Sequence, residues 1–254
     1  MVRTRQPTID TALRLIEEEL ELVTVEREAF DRFVSRLRDR GVSGQEPTAA
    51  AGGAQTMLLT GATGPSENLR AVRQAYRDTV MDVPHYEREY GDTLVANMAA
   101  EVGPTLAGQL ADGQRLTPPV YDALLEASER CRDDREDFCR LLRAERDSLQ
   151  RIATELNDVE SRVVELGERI DGAPNSGVLA RVDDELTALE TRCTDLAARR
   201  QETIHGRSGS KASGVDDVSL VQYLYADLET VTPALSDIAT RLESIRHQRS
   251  LCLR

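Results

Sequence analysis

The sequence predicts an all-α protein, a long antiparallel coiled-coil hairpin with additional packed helices. Three observations carry that class. Apolar residues between Tyr121 and Thr203 recur at alternating steps of three and four, and a short polar turn splits that run in two. No stretch of convincing length alternates polar and apolar residues as a half-buried strand would. Aromatic residues make up only 4% of the 254, with no tryptophan, which suits narrow seams shared between helices better than a thick core.

Taken in order, residues 1–41 form an N-terminal heptad helix. Ile9, Leu13, Ile16, Leu20, Val23, Arg27, Phe30, Val34 and Leu37 alternate steps of four and three, with Arg27 the one polar member. Gly41 is placed to cap its C-terminus. Residues 42–66 concentrate Gly, Ala, Thr and Pro without helical period and read as a flexible linker.

Residues 67–205 read as short helices followed by the coiled-coil hairpin. Ser66 is a suitable N-cap for a helix with Leu69, Val72, Tyr76 and Val80 on one face, which Pro84 ends. Two short helical pieces follow, Thr93–Val102 and Thr105–Ala111, punctuated by Gly103, Pro104 and Gly113. Thr117 and Pro118 supply an N-cap and a first-turn proline. From Tyr121 to Ile170 the seven-residue repeat then runs unbroken, with Ser128, Arg135 and Glu145 as its polar members. A strict heptad of this length implies left-handed supercoiling against a partner, on a helix roughly 80 Å long. The turn DGAPNSG (171–177) interrupts it. Leu179, Val182, Leu186, Leu189, Cys193, Leu196, Arg200 and Thr203 resume the spacing, which makes an antiparallel hairpin.

Residues 206–216 are a second linker, and 217–254 a C-terminal helical pair. In its second helix Thr232 is the expected N-cap and Pro233 the first helical residue. The N- and C-terminal seams are expected to pack on the exposed part of the long helix, roughly Tyr121–Leu142, or on another subunit.

The polar seam members select a register. Antiparallel coiled coils set an a position opposite a d position, and residue numbers summing to 345 satisfy this along the hairpin, from Leu179 with Leu166 to Leu196 with Leu149. The next pair is Arg200 with Glu145, the acid of one seam facing the arginine of the other. A slip of one heptad would set Arg200 against Ile152 and leave a half-buried charge unpaired, at a cost of several kcal/mol. Glu145 and Arg200 are therefore the expected register pair; the alternative is that both sit where the seam opens to water. Arg27 and Arg135 have no partner identifiable from sequence.

Acidic residues outnumber basic ones 45 to 32, a formal net charge of −13, and Lys211 is the single lysine. The sign of the charge argues against a simple basic nucleic-acid binder. Four cysteines are too few for a disulfide scaffold. Carboxylates hold water and hydrated cations, and arginine replaces the strongly hydrated lysine ammonium, a surface suited to a cytoplasm at molar salt. There the screening length is about 3 Å. A GC-rich genome would favour the same residues, and both features meet in halophilic archaea. The first residues carry basic side chains without an apolar run, so no secretory signal is expected, and no window approaches a membrane span. The expected setting is cytoplasmic.

The densest polar–aromatic cluster is His85, Tyr86, Glu87, Glu89, Tyr90 and Asp92. A histidine among carboxylates suits metal ligation or acid–base work, yet the spacing matches no zinc or di-iron pattern. The ordinary reading is that the tyrosines pack and the charges face water. Cys131 and Cys139 lie about 12 Å apart along one helix and cannot bridge. With Cys193 and Cys252 they form no CxxC, and small buried hydrophobes are the default. No nucleophile–base pair, phosphate loop or cofactor motif is present.

The segments LRAVRQAYRDTVMDVPHYEREYGDTLVANMAAEVGP (69–104) and YLYADLETVTPALSDIATRLESIR (223–246) resemble a haloarchaeal family of uncharacterised all-helical proteins, a domain of unknown function. The resemblance covers nearly the whole chain and implies a source and a fold type, with no catalytic residue, cofactor or substrate. The expected function is a non-enzymatic helical interaction or scaffold protein, binding a protein partner or itself through the heptad seams. The alternative is a cytoplasmic regulator contacting a protein or DNA through the 69–113 helices, where Arg70, Arg73 and Arg77 recur among Asp78, Asp82, Glu87 and Glu89. An enzyme using the His85–Asp92 cluster ranks third. No cofactor, membrane or small-molecule substrate is expected.

Overall fold

The structure, a computed structural model, describes residues 8–40, 67–172, 175–206 and 217–253. The linker expectations for 42–66 and 207–216, and the caps assigned to Gly41 and Ser66, lie outside these residues. Among the described residues every regular element is an α-helix. In order these are α1 (Thr8–Arg40), α2 (Glu67–Arg77), α3 (Tyr86–Glu89), α4 (Leu94–Glu101), α5 (Pro104–Asp112), α6 (Pro118–Asp171), α7 (Ser176–Gly206), α8 (Asp217–Leu224) and α9 (Pro233–Cys252). The protein is all-α, as its periodicity requires.

Local differences from the sequence reading have local causes. The α2 helix stops at Arg77 rather than running to Pro84, because the backbone tightens into a turn in which the Val80 and Met81 amides both donate to the Tyr76 carbonyl. Val80 stays buried from that turn. The cluster segment forms a single helical turn, α3. Thr93 caps α4 by accepting a hydrogen bond from the Ala96 amide at 3.3 Å. Thr232 makes no such cap; its own amide donates instead to the Thr230 hydroxyl. Gly103, between α4 and α5, has φ +96° and ψ 148°, a region open essentially to glycine alone.

Contacts divide the chain into two compact units, one of Met1–Leu20 with Arg140–Arg254 and the other of Glu21–Cys139. The divisions fall inside α1 and α6, so each long helix contributes a part to each unit.

In the first unit, α6 beyond Arg140 and α7 run antiparallel. Ion pairs join Arg162 to Glu185, Arg192 to Glu155 and Asp158, and Arg199 to Glu155, so partner numbers fall as α6 numbers rise. Beneath these, Leu149, Ile152, Leu156, Val159, Val163 and Leu166 are buried with Val182, Leu186, Cys193 and Leu196. The α9 helix lies against both. It runs antiparallel to α7, through Arg249 with Asp183 and Arg246 with Glu190. It runs parallel to α6, through Arg241 with Glu160 and Gln248 beside Gly167. Its contacts are therefore with the hairpin, where the expectation had Tyr121–Leu142, and the Gln248 side chain lies over Gly167. The start of α1 is tied down here too: the Asp237 carboxylate accepts from the Thr8 and Ile9 amides, an N-cap supplied by another helix.

In the second unit, α1 from Glu21 packs antiparallel to the first part of α6. Thr24 touches Cys139, Asp31 pairs with Arg132, and the Tyr121 hydroxyl donates to the Leu37 carbonyl at 3.0 Å. This matches the expected packing of the N-terminal seam on Tyr121–Leu142. Phe30, Phe33 and Leu37 of α1, Leu69, Val72 and Tyr76 of α2, Met98 of α4, Val102 just past it, and Ala107 and Leu110 of α5 close one buried cluster with Tyr121, Leu124 and Cys131. Phe33 and Tyr76 meet edge to face, ring centres 5.2 Å apart. Each large apolar side chain buried this way contributes about 1.5–3 kcal/mol, which is how helices of 8–11 residues persist here.

Candidate functional site

The first unit contains a charged pair with almost no exposure. The α6 and α7 heptads carry Glu145 and Arg200 to the same level, and the guanidinium grips the carboxylate with two bonds, Nη1 to Oε2 at 2.9 Å and Nη2 to Oε1 at 2.6 Å. Their side chains are 4% and 2% exposed. Ser148 Oγ accepts from Arg200 Nη1 at 3.3 Å, and the Tyr225 hydroxyl, just past α8, donates to Glu145 Oε1 at 2.7 Å. Burial, and then the charge of Glu145, push the Tyr225 hydroxyl well above its ordinary pKa. The pair thus joins α6, α7 and the end of α8, with both carboxylate oxygens and one guanidinium edge satisfied.

The second unit builds a larger node around Arg135. Its Nε donates to Glu26 Oε2 at 2.9 Å, its Nη2 to Glu101 Oε1 at 2.8 Å and its Nη1 to the Cys131 carbonyl at 3.3 Å. The guanidinium carbon sits 4.5 Å from the centre of the Phe30 ring, a cation–π contact. Glu26 Oε1 accepts two further bonds, from Tyr90 Oη at 2.8 Å and from His85 Nε2 at 3.0 Å, which places the imidazole proton on Nε2. Burial alone would raise the Glu26 carboxyl. The Arg135 charge and the hydrogen bonds from His85, Tyr90 and Arg135 outweigh it and hold the group below its ordinary 4.5. Burial and the Glu26 carboxylate together push the Tyr90 hydroxyl up. The gap left among these side chains, about 10 Å³, is the room of a single water molecule.

Of the cluster picked out in the sequence, His85 and Tyr90 converge on Glu26. Tyr86 is buried, stacks at a tilt 5.7 Å from Tyr90 and donates to the Asp92 backbone carbonyl. The side chains of Glu87, Glu89 and Asp92 are exposed, and Glu89 pairs with its neighbour Arg88. Tyr86 packs and those charges face outward; Tyr90 stays 40% exposed while its hydroxyl reaches Glu26, and His85 is buried. Glu26, Glu101 and Asn97 escaped the sequence reading; Asn97 accepts from the buried Tyr76 hydroxyl at 2.7 Å. The two seam arginines called partnerless do have partners: Arg135 meets Glu26 and Glu101, and Arg27 lies 3.4 Å from Glu136 and from Glu28. The signal was present, since an arginine in a seam demands a carboxylate one helix away. Cys131 is buried, with its thiol pushed up to about 12 first by burial and then by Glu101, which removes its nucleophilic character. Among the described residues no group of three or more His, Cys, Asp or Glu side chains is placed to hold a metal ion, and no helix is long and apolar enough to cross a membrane.

A separate, open groove of about 410 Å³ lies between α2, α4 and α5. Arg73 forms one wall, its Nε and Nη2 donating to the Leu110 and Ala111 carbonyls at 2.5 and 2.6 Å and so closing the C-terminal end of α5.

Exchanging charges tests the register role of the first pair. Glu145→Arg or Arg200→Glu alone should cost about 3–5 kcal/mol in denaturant unfolding, and the double exchange should recover a large part of it. Additive losses would show that the pair does not set the register. For the second node, a carboxyl held below its ordinary value stabilises the fold above pH 4.5 and loses that contribution as pH falls through the lowered value. Thermal melts across acid pH should therefore fall more steeply for the wild type below 4.5 than for Glu26→Gln, and equal slopes would count against the node.

With the geometry in hand, comparison with known proteins returns one family: residues 7–249 match the Domain of unknown function (DUF7260). No curated protein and no solved structure matches the chain.

Proposed function

The chain belongs to the DUF7260 family, and we propose that it is a non-enzymatic helical interaction module, a scaffold working in the salt-rich cytoplasm of a halophilic archaeon. The observation that carries this reading is the closed character of the Glu26–Arg135 node. Its histidine, tyrosine, arginine and carboxylates direct their hydrogen bonds at one another, around a gap with room for one water. Groups committed in this way join α1, α4 and α6 to the 85–90 segment, and their mutual bonding supports a structural reading over a substrate site. The same reading supports partner contact through the 69–113 helices, whose α2 arginines Arg70 and Arg77 are exposed. The salt setting rests on the acidic surplus and the single lysine.

Affinity capture from a haloarchaeal lysate at molar potassium chloride should yield a partner whose complex re-forms from purified components. A turnover abolished by His85→Ala with helicity unchanged would overturn the module reading. The salt setting has its own check. Screening of an excess of 13 negative charges should raise the melting temperature from low to molar potassium chloride, because self-repulsion weakens as the Debye length shrinks to about 3 Å. A melting temperature that falls with added salt would refute it.

A further inference from the structure

We propose that the groove between α2, α4 and α5 docks an acidic amphipathic segment of a partner protein. The proposal rests on the module reading above and names the partner's chemistry. The floor of the groove is apolar: Leu94, Val95 and Met98 of α4 face Leu110 of α5 across it. Val95 is 45% exposed, unusual for a valine beside a well-packed cluster. One wall is basic. Arg73 is immobilised by the two α5 carbonyls, and Arg77, one turn further along α2, lines the same groove, exposed and with no ion pair or hydrogen bond to another described residue. Arg70, one turn before Arg73, is likewise exposed.

This is a local reversal of charge on a chain with a net charge of −13, whose arginines elsewhere mostly meet carboxylates. Two cationic groups held beside an apolar trough suit a carboxylate carried next to aliphatic side chains. An amphipathic helix or turn presents that combination at steps of three and four. The volume, about 410 Å³, suits a few side chains and not a whole domain face. Asp112, the last residue of α5, also lines the groove. Together with the apolar floor it disfavours a nucleic-acid backbone, which needs a continuous basic track.

Selection of a random peptide library displayed on phage against the full chain tests this. Enriched peptides should combine acidic and aliphatic residues, and their affinity should fall about tenfold or more on Arg77→Glu and on Val95→Asp. Both positions are exposed, so circular dichroism should show unchanged helicity. Enrichment of basic peptides, no enrichment, or equal binding to both variants would overturn the proposal. So would a DNA duplex that competes with the peptides, or a self-association lost in Arg77→Glu, which would hand the groove to nucleic acid or to a second copy. A captured partner that binds both variants as it binds the wild type sinks the groove alone, whereas turnover lost with His85 sinks the module reading.

Discussion

Burying a guanidinium obliges the fold to bring a carboxylate to it, and much of this structure follows from that obligation. Removing an arginine head from water costs several kcal/mol unless its donors are met. Arg200 sits in the α7 seam and is met by Glu145 from α6, with Ser148 and Tyr225 completing the surroundings. Arg135 sits in the α6 seam and is met by Glu26 from α1 and Glu101 from the end of α4. Each node joins particular helices at a particular level, which an all-leucine seam would leave degenerate. Breaking such a buried pair on one side would leave a charge uncompensated, the cost that the charge exchange measures.

The difference between the two nodes explains what could be read in the sequence. Glu145 and Arg200 belong to one hairpin, so a short turn and a constant sum of residue numbers place them opposite each other. Arg135 and Glu26 are 109 residues apart, joined through segments whose length says nothing about register, and Glu26 stands one position off the α1 seam. Heptad spacing reports which face of a helix is buried but not which helix covers it. The placement of α9 follows the same rule: its seam is visible in the sequence, whereas the residues it meets, Asp183, Glu190 and Glu160, are ordinary members of long polar faces. Helix existence and seam membership were legible. Short-range signals located a boundary without its chemistry: Thr232 and Pro233 mark the start of α9 as expected, but the Thr232 side chain makes no cap bond, while Thr93, read only as the start of a helical piece, does cap α4.

Charges outside the seams obey different energetics. Arg162 bridges Glu165 and Glu185, and Arg249 bridges Asp183 and Glu190, at positions reached by water. Such pairs contribute up to about 1 kcal/mol each and weaken as salt screens them. The seam pairs, at 2–4% exposure for Arg200 and Glu145, are shielded from that screening. In a protein with this surplus of carboxylates the buried pair sits where salt has least effect, while the outer pairs stay open to screening. The arginine-for-lysine bias serves both places, since a planar fork can be satisfied bidentately in a seam and is weakly hydrated on a surface.

That division bears on the groove of the second unit. Arg73 is neither a seam arginine nor a free surface one: its donors are taken by the carbonyls that end α5, so it is a structural cap that holds positive charge at the edge of an apolar trough. Gly103 sets the turn between α4 and α5 through a backbone conformation that other residues avoid. The Thr93 cap fixes where α4 begins. Three local devices thus help fix the three walls independently of any ligand. A surface preorganised in this manner would spare a ligand the entropic cost of ordering it. Among the described residues, where most buried polar groups are paired with one another, Arg77 lies exposed beside that trough with no ion pair to another described residue, a cation placed where a carboxylate could reach it.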